Sequence, residues 1–121
     1  MRPEPNRPIN DDEVRIIRIA LQCCAENPEA AALVPTLDNL RVVSGCECGC
    51  ASVDFARSSS ERPTPIAEAV GILGNREDVG IIIWGTPVTV TGLEIYDLTA
   101  SATNLPLSAI ASIVPWDKRA A

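Results

Sequence analysis

The sequence predicts an α+β fold: an N-terminal helix, plus a short second helix, packed on one face of a four- to five-stranded antiparallel meander. Three observations predict it. Apolar residues recur at helical spacing from Val14 to Cys24. After Pro35 the pattern changes to β-branched and alternating segments. Clusters of Gly, Pro, Ser and Asn then punctuate those segments. A length of 121 residues is one domain's worth, and an apolar fraction of 46% is too high for a disordered chain.

The elements follow in order. Residues 1–8 carry three prolines and read as a flexible tail. Residues 9–116 form the domain. Asn10 is placed to cap the first helix, and Glu13 at its third position completes a capping box. Ile9 and Val14 can form a hydrophobic staple across that box. Asp11 and Asp12 suit the positive end of the helix dipole. Val14, Ile17, Leu21 and Cys24 make the apolar stripe, with Arg15, Arg18 and Gln22 on the wet face. Asn27-Pro28 caps a second short helix that runs to Val34 and stops at Pro35.

Leu40 to Ser44 reads as a strand, and Ala51 to Ala56 alternates, with Val53 and Phe55 on one side and Ser52 and Asp54 on the other. Arg57 to Pro65 is a loop. Ile66 to Leu73 suits a helix by composition and a strand by its neighbours. Gly74 to Asp78 is a turn. Val79 to Trp84 is apolar on both pleat faces, as in a central strand covered on both sides. One helical layer covers one face only, so the other is expected to meet a second copy or a protein partner. From Val88 to Tyr96 the alternation slips, and a β-bulge at Thr91-Gly92 restores it. Trp116 ends the domain, and 117–121 reads as a disordered C-terminus.

Composition excludes several function classes. No histidine is present, so Ser-His-Asp and Cys-His catalysis and imidazole metal ligands are ruled out. A net charge of −6 with a single lysine argues against nucleic acid. The longest apolar run, the five residues from Ala30 to Val34, is far too short for a membrane span, as is Ile81 to Trp84. With no secretory signal at the start, a cytoplasmic location is expected, where thiols stay reduced.

The unusual local feature is Cys46-x-Cys48-x-Cys50, three thiols within five residues. Thiolates suit zinc, copper(I) or iron–sulfur clusters. In an extended C-x-C segment, however, two such side chains stand about 7 Å apart, too wide for two bonds of about 2.3 Å to one zinc. Gly49 could bend the segment and bring Cys48 and Cys50 together. The competing reading is three small, buried thiols in a tight turn. No cofactor is expected beyond a zinc ion at Cys46, Cys48 and Cys50. Cys23 and Cys24 read as helix residues, since a vicinal pair makes a poor disulfide.

Glu94, Asp54, Glu68 and Asp97 are carboxylates on or beside strands, where a pair could serve as acid and base. Strand acids are more commonly solvated. Glu94, flanked by apolar residues and near Tyr96, stands out. With Trp84, Tyr96, Asp54 and Glu68 it makes a candidate pocket or interface.

Three segments carry a resemblance: Cys46-Glu47-Cys48-Gly49-Cys50-Ala51-Ser52-Val53, Val79-Gly80-Ile81-Ile82-Ile83 and Gly92-Leu93-Glu94-Ile95-Tyr96. Together they resemble a group of small uncharacterised bacterial proteins with a C-x-C-G-C segment and a later G-L-E-[apolar]-Y strand. The likeness spans about half the chain, from Val42 to Tyr96. It departs at Ala51, where that group often has proline, and at the shorter turn Gly85-Thr86-Pro87. The resemblance implies a helix followed by a small antiparallel sheet and brings no activity with it. The leading expectation is a small non-catalytic binding or assembly module, forming a homo-oligomer or meeting a protein partner. The alternatives are a thiolate metal-binding protein and a small carboxylate-dependent enzyme.

Overall fold

A computed structural model describes residues 6–45, 49–57 and 60–118. The chain is α+β, with an N-terminal helix, a short second helix and one antiparallel sheet. The sheet has seven strands, more than the four or five expected. In chain order the elements are β1 (Arg7–Pro8), α1 (Asp11–Cys24), α2 (Pro28–Ala31), β2 (Arg41–Gly45), β3 (Val53–Phe55), β4 (Thr64–Leu73), β5 (Asp78–Gly85), β6 (Val90–Asp97) and β7 (Ile110–Val114). Their order across the sheet is β1-β2-β3-β6-β5-β4-β7. The hairpins of β4, β5 and β6 make a three-stranded meander. β7 extends it on one side, and β3, β2 and β1 extend it on the other.

The extra strands come from segments that carry little local pattern. Arg7–Pro8 lies within the expected tail, yet it pairs with Arg41 and Val42. The Arg7 guanidinium donates to both Glu13 oxygens at 2.9 and 2.8 Å, which fastens β1 to the first turn of α1. That turn is a capping box: the Asn10 side chain accepts from the Glu13 N–H at 2.8 Å, and Glu13 accepts from the Asn10 N–H at 3.0 Å. The second helix is shorter than expected. α2 ends at Ala31, and Val34–Asn39 forms a 3-10 helix with Pro35 near its start, where a missing N–H costs nothing. Ile66 to Leu73 is strand. Trp116–Lys118 is a 3-10 turn that crosses the expected boundary between the domain, ending at Trp116, and the disordered end from 117. Cys23 and Cys24 are joined in a disulfide, contrary to the expectation of separate thiols.

The core lies between α1 and one sheet face. Ile16, Ile17, Ala20 and Leu21 of α1 are fully buried, as are Ala67 and Ala69 of β4 and Val79, Ile81 and Ile83 of β5. Alanines on both partners let the helix backbone approach β4 closely. Each buried isoleucine or leucine contributes roughly 1.5–3 kcal/mol relative to exposure. The end of α1 is pinned to the sheet by the Glu26 N–H donating to the Ile66 carbonyl at 2.9 Å.

The expected slip in β6 is present. Trp84 pairs with Gly92 and Gly85 with Val90, so Thr91 is the extra residue of a bulge. Beyond it, Leu93 and Ile95 face the core while Gly92, Glu94 and Tyr96 face the opposite side. Among the described residues neither α1 nor α2 covers that second face, and it holds the candidate site.

Candidate functional site

Register determines what meets on the open face. β5 against β6 sets Gly80 opposite Tyr96, Ile82 opposite Glu94 and Trp84 opposite Gly92. β3 against β6 sets Asp54 opposite Gly92, and β2 against β3 sets Ser44 opposite Asp54. A row therefore runs Ser44, Asp54, Gly92, Trp84 across four strands. Asp54 and Glu94 are diagonal neighbours on adjacent strands, a relation that separates α-carbons by about 7–8 Å.

Glycine makes the floor. A Cβ on Gly92 would come within 3.3 Å of Asp54 Oδ1 and 3.6 Å of the Trp84 Cβ, so its absence leaves a notch between those two side chains. The result is a groove of about 600 Å³ whose lining includes Cys50, Asp54, Trp84, Glu94, Tyr96 and Asp97. A second hollow of about 550 Å³ shares Asp54, Trp84 and Glu94 with it and adds Arg57 and Pro63. The two hollows flank the same carboxylates.

These side chains are held. The Trp84 indole Nε1–H donates to Glu94 Oε1 at 3.0 Å. The Ser44 hydroxyl donates to Asp54 Oδ2 at 2.9 Å. Neither carboxylate forms an ion pair with a cation among the described residues. Asp97 Oδ1 accepts from the Ala102 N–H at 2.7 Å, which fixes the loop that walls one end.

Ser52 is a residue that sequence reasoning passed over. β3 begins only at Val53, so β6 lacks a backbone partner beside Ile95. The Ser52 hydroxyl fills the gap, accepting from the Ile95 N–H at 2.8 Å and donating to the Ile95 carbonyl at 3.3 Å. The Cys50 thiol donates to the same oxygen at 3.3 Å. The available signal was the polar position of Ser52 in the alternation.

The structure thus brings together Asp54, Trp84, Glu94 and Tyr96. It does not bring in Glu68. Glu68 lies on β4 opposite Ile82, itself opposite Glu94, so two strand spacings, about 10 Å, separate the two acids. Of the cysteine cluster, Cys50 lines the groove, while Cys46 and Cys48 lie outside the described residues. Gly49 adopts φ 90°, the left-handed bend that only glycine takes easily, and its carbonyl accepts from the Asn104 N–H at 3.1 Å. Among the described residues no group of three or more Cys, Asp or Glu side chains is arranged to hold a metal. No helix among them is long and apolar enough to cross a membrane.

Compared with known proteins, the chain matches no family model, no curated protein and no solved structure.

Proposed function

We propose that this protein is a small, non-catalytic binding module, and that the open sheet face receives a cationic group, an ammonium or guanidinium carried on a larger partner. The observation behind this reading is the groove in which Asp54 and Glu94 flank Trp84 with no cation among the described residues ion-paired to either. Aromatic faces attract cations through their quadrupole, and a carboxylate alongside supplies the full charge and the hydrogen-bond acceptors. The hydrogen bonds from Ser44 and Trp84 orient the acids before any ligand arrives, which lowers the ordering cost of binding. The net charge of −6 favours approach of a basic partner.

The test is an NMR titration with butylammonium and ethylguanidinium, using butyrate as the anionic control. The expected result is movement of the Trp84 indole N–H with both cations and none with butyrate. Glu94→Gln and Asp54→Asn are expected to weaken the response. Cations that leave the Trp84 signal in place, or that shift Trp84 and Trp116 alike, overturn the reading.

A thiolate metal site at Cys46, Cys48 and Cys50 is the second reading, favoured by the Gly49 bend between the last two cysteines. Elemental analysis of protein purified without added metal decides it. Near-stoichiometric zinc lost on Cys48→Ser supports the site, and its absence removes it.

A further inference from the structure

We infer that β7 is a pairing edge for a second copy of this chain, joined β7 to β7 in antiparallel fashion across a two-fold axis. The sheet ends at two edges, β1 and β7. They are built differently. The β1 edge is two residues long, holds Pro8, which has no N–H to offer, and carries the charged Arg7. Those are the devices by which monomeric sheets block edge pairing. β7 is five residues long, Ile-Ala-Ser-Ile-Val, with neither charge nor proline. Ala111 and Ser112 on it are exposed.

The surrounding sequence favours a second copy over an unrelated strand. The chain has 26 charged residues (16 acidic and 10 basic), yet the 19 positions from Leu98 to Trp116 contain none. Two copies, each with a net charge of −6, repel over most of their surfaces and least along this edge. An antiparallel strand pair is self-complementary, which is what a two-fold interface requires. Trp116, 40% exposed just beyond the strand, adds apolar surface beside the contact.

The limits of the pairing segment are also set. The Arg15 guanidinium donates to the Ile110 carbonyl at 3.2 Å, which occupies the first residue of the strand. Ala111 is the extra residue of a bulge against β4, since Ile72 pairs with Ser112 and Leu73 with Ile110. Pro115 closes the far end. The regular stretch Ser112–Val114 is the part presented to the partner copy. This pairing is independent of the groove, because it uses the backbone of the opposite side of the sheet.

The experiment is sedimentation velocity from low to hundreds of micromolar, paired with amide hydrogen exchange at both ends of that range. A dimer is expected at high concentration, with slower exchange in β7 and unchanged exchange in β1. Ser112→Lys, at an exposed position, places like charges against each other across the axis and is expected to weaken dimerisation by at least about tenfold without altering the fold by circular dichroism. Ile113→Pro, which removes a backbone N–H, is the second variant, expected to abolish the dimer. A monomer at every concentration overturns the proposal. So does a dimer indifferent to both variants, or a monomer that takes up a foreign strand peptide at β7 but never its own copy.

Discussion

The ring of Tyr96 lies over Gly80 on the neighbouring strand, so that a side-chain carbon on Gly80 would fall inside it. The two residues face each other across the β5–β6 ladder on the open face. Glycine weakens a strand by exposing backbone and giving nothing to pack, and an aromatic side chain laid across it restores that cover. The same contact holds Tyr96 down along the groove wall. Sequence and site are linked here through one absent methyl group.

Gly80→Ala is therefore expected to displace the Tyr96 ring and destabilise the fold by about 1–3 kcal/mol, the usual cost of overpacking. The check is a double-mutant cycle by urea denaturation. Tyr96→Ala alone uncovers Gly80, and Gly80→Ala made in that background is expected to cost much less than it does beside the ring. Equal costs in both backgrounds would show that the ring yields freely.

The Arg7–Glu13 contact predicts an asymmetry. Glu13 is 2% exposed and serves both Arg7 and the Asn10 N–H, so Glu13→Ala is expected to cost about 1–3 kcal/mol through the lost cap and the lost pair. The Arg7 side chain is 40% exposed, and water and salt screen its share, so Arg7→Ala is expected to cost under about 1 kcal/mol. The hydrogen bonds that Arg7 donates to Glu13 raise the Arg7 pKa above its ordinary value, opposed by partial burial and aided by the charge of Glu13. A raised basic pKa contributes stability that is fully present below the unfolded value and is lost only as pH rises through the folded one. The Arg7 contribution is therefore flat across neutral pH and falls only in strong alkali, which thermal melts of wild type and Arg7→Ala at pH 6 to 9, differing by a constant amount, would check.

How much of this was legible in the sequence depends on how local each feature is. The capping box at Asn10 and Glu13 lies within one helical turn, and the bulge at Thr91 lies within one strand's alternation. Both are visible as patterns. β1 and β7 carry no such pattern, and they exist because distant residues pair with them, Arg7 with Val42 and Val114 with Val70. β4 looked equally helical because alanine and glutamate favour helices, and pairing with strands on both of its sides decided it. At the site, Asp54, Trp84, Glu94 and Tyr96 each stood out by alternation. Their grouping, and the separation of Glu68, depend on the jump from β3 to β6, which no local pattern records.

Asp78 and Thr99 predict a second coupled pair. Asp78 is buried at the start of β5, and its Oδ1 accepts from the Thr99 N–H at 3.0 Å and hydroxyl at 2.8 Å. The Asp78 N–H donates back to the Thr99 hydroxyl at 2.7 Å. Thr99→Val keeps the shape and removes both hydroxyl bonds at a buried carboxylate, an expected loss of about 1–3 kcal/mol. Thr99→Ser keeps the hydroxyl and is expected to recover most of it. Chemical denaturation of the two variants side by side makes the comparison, and a Thr99→Ser loss as large as that of Thr99→Val would show that the hydroxyl bonds matter no more than the packing of the methyl.

Ser52 gives the most local prediction. Its hydroxyl stands in for a strand, satisfying both the N–H and the carbonyl of Ile95 where β3 has not yet begun. Buried backbone groups left unpaired cost about 1–3 kcal/mol, so Ser52→Ala is expected to destabilise by that order. The loss is expected to be concentrated. Hydrogen exchange at the Ile95 amide should quicken far more than at Ile81 or Ile83, whose ladder bonds do not involve Ser52. Ser52→Thr retains the hydroxyl and is expected to keep Ile95 protected. Because Cys50 donates to the same oxygen, Ser52→Ala is also expected to raise the reactivity of the Cys50 thiol toward a thiol reagent, while Ser52→Thr leaves it near the wild-type rate. Uniformly faster exchange along β6 would instead mean that Ser52 contributes only to overall stability.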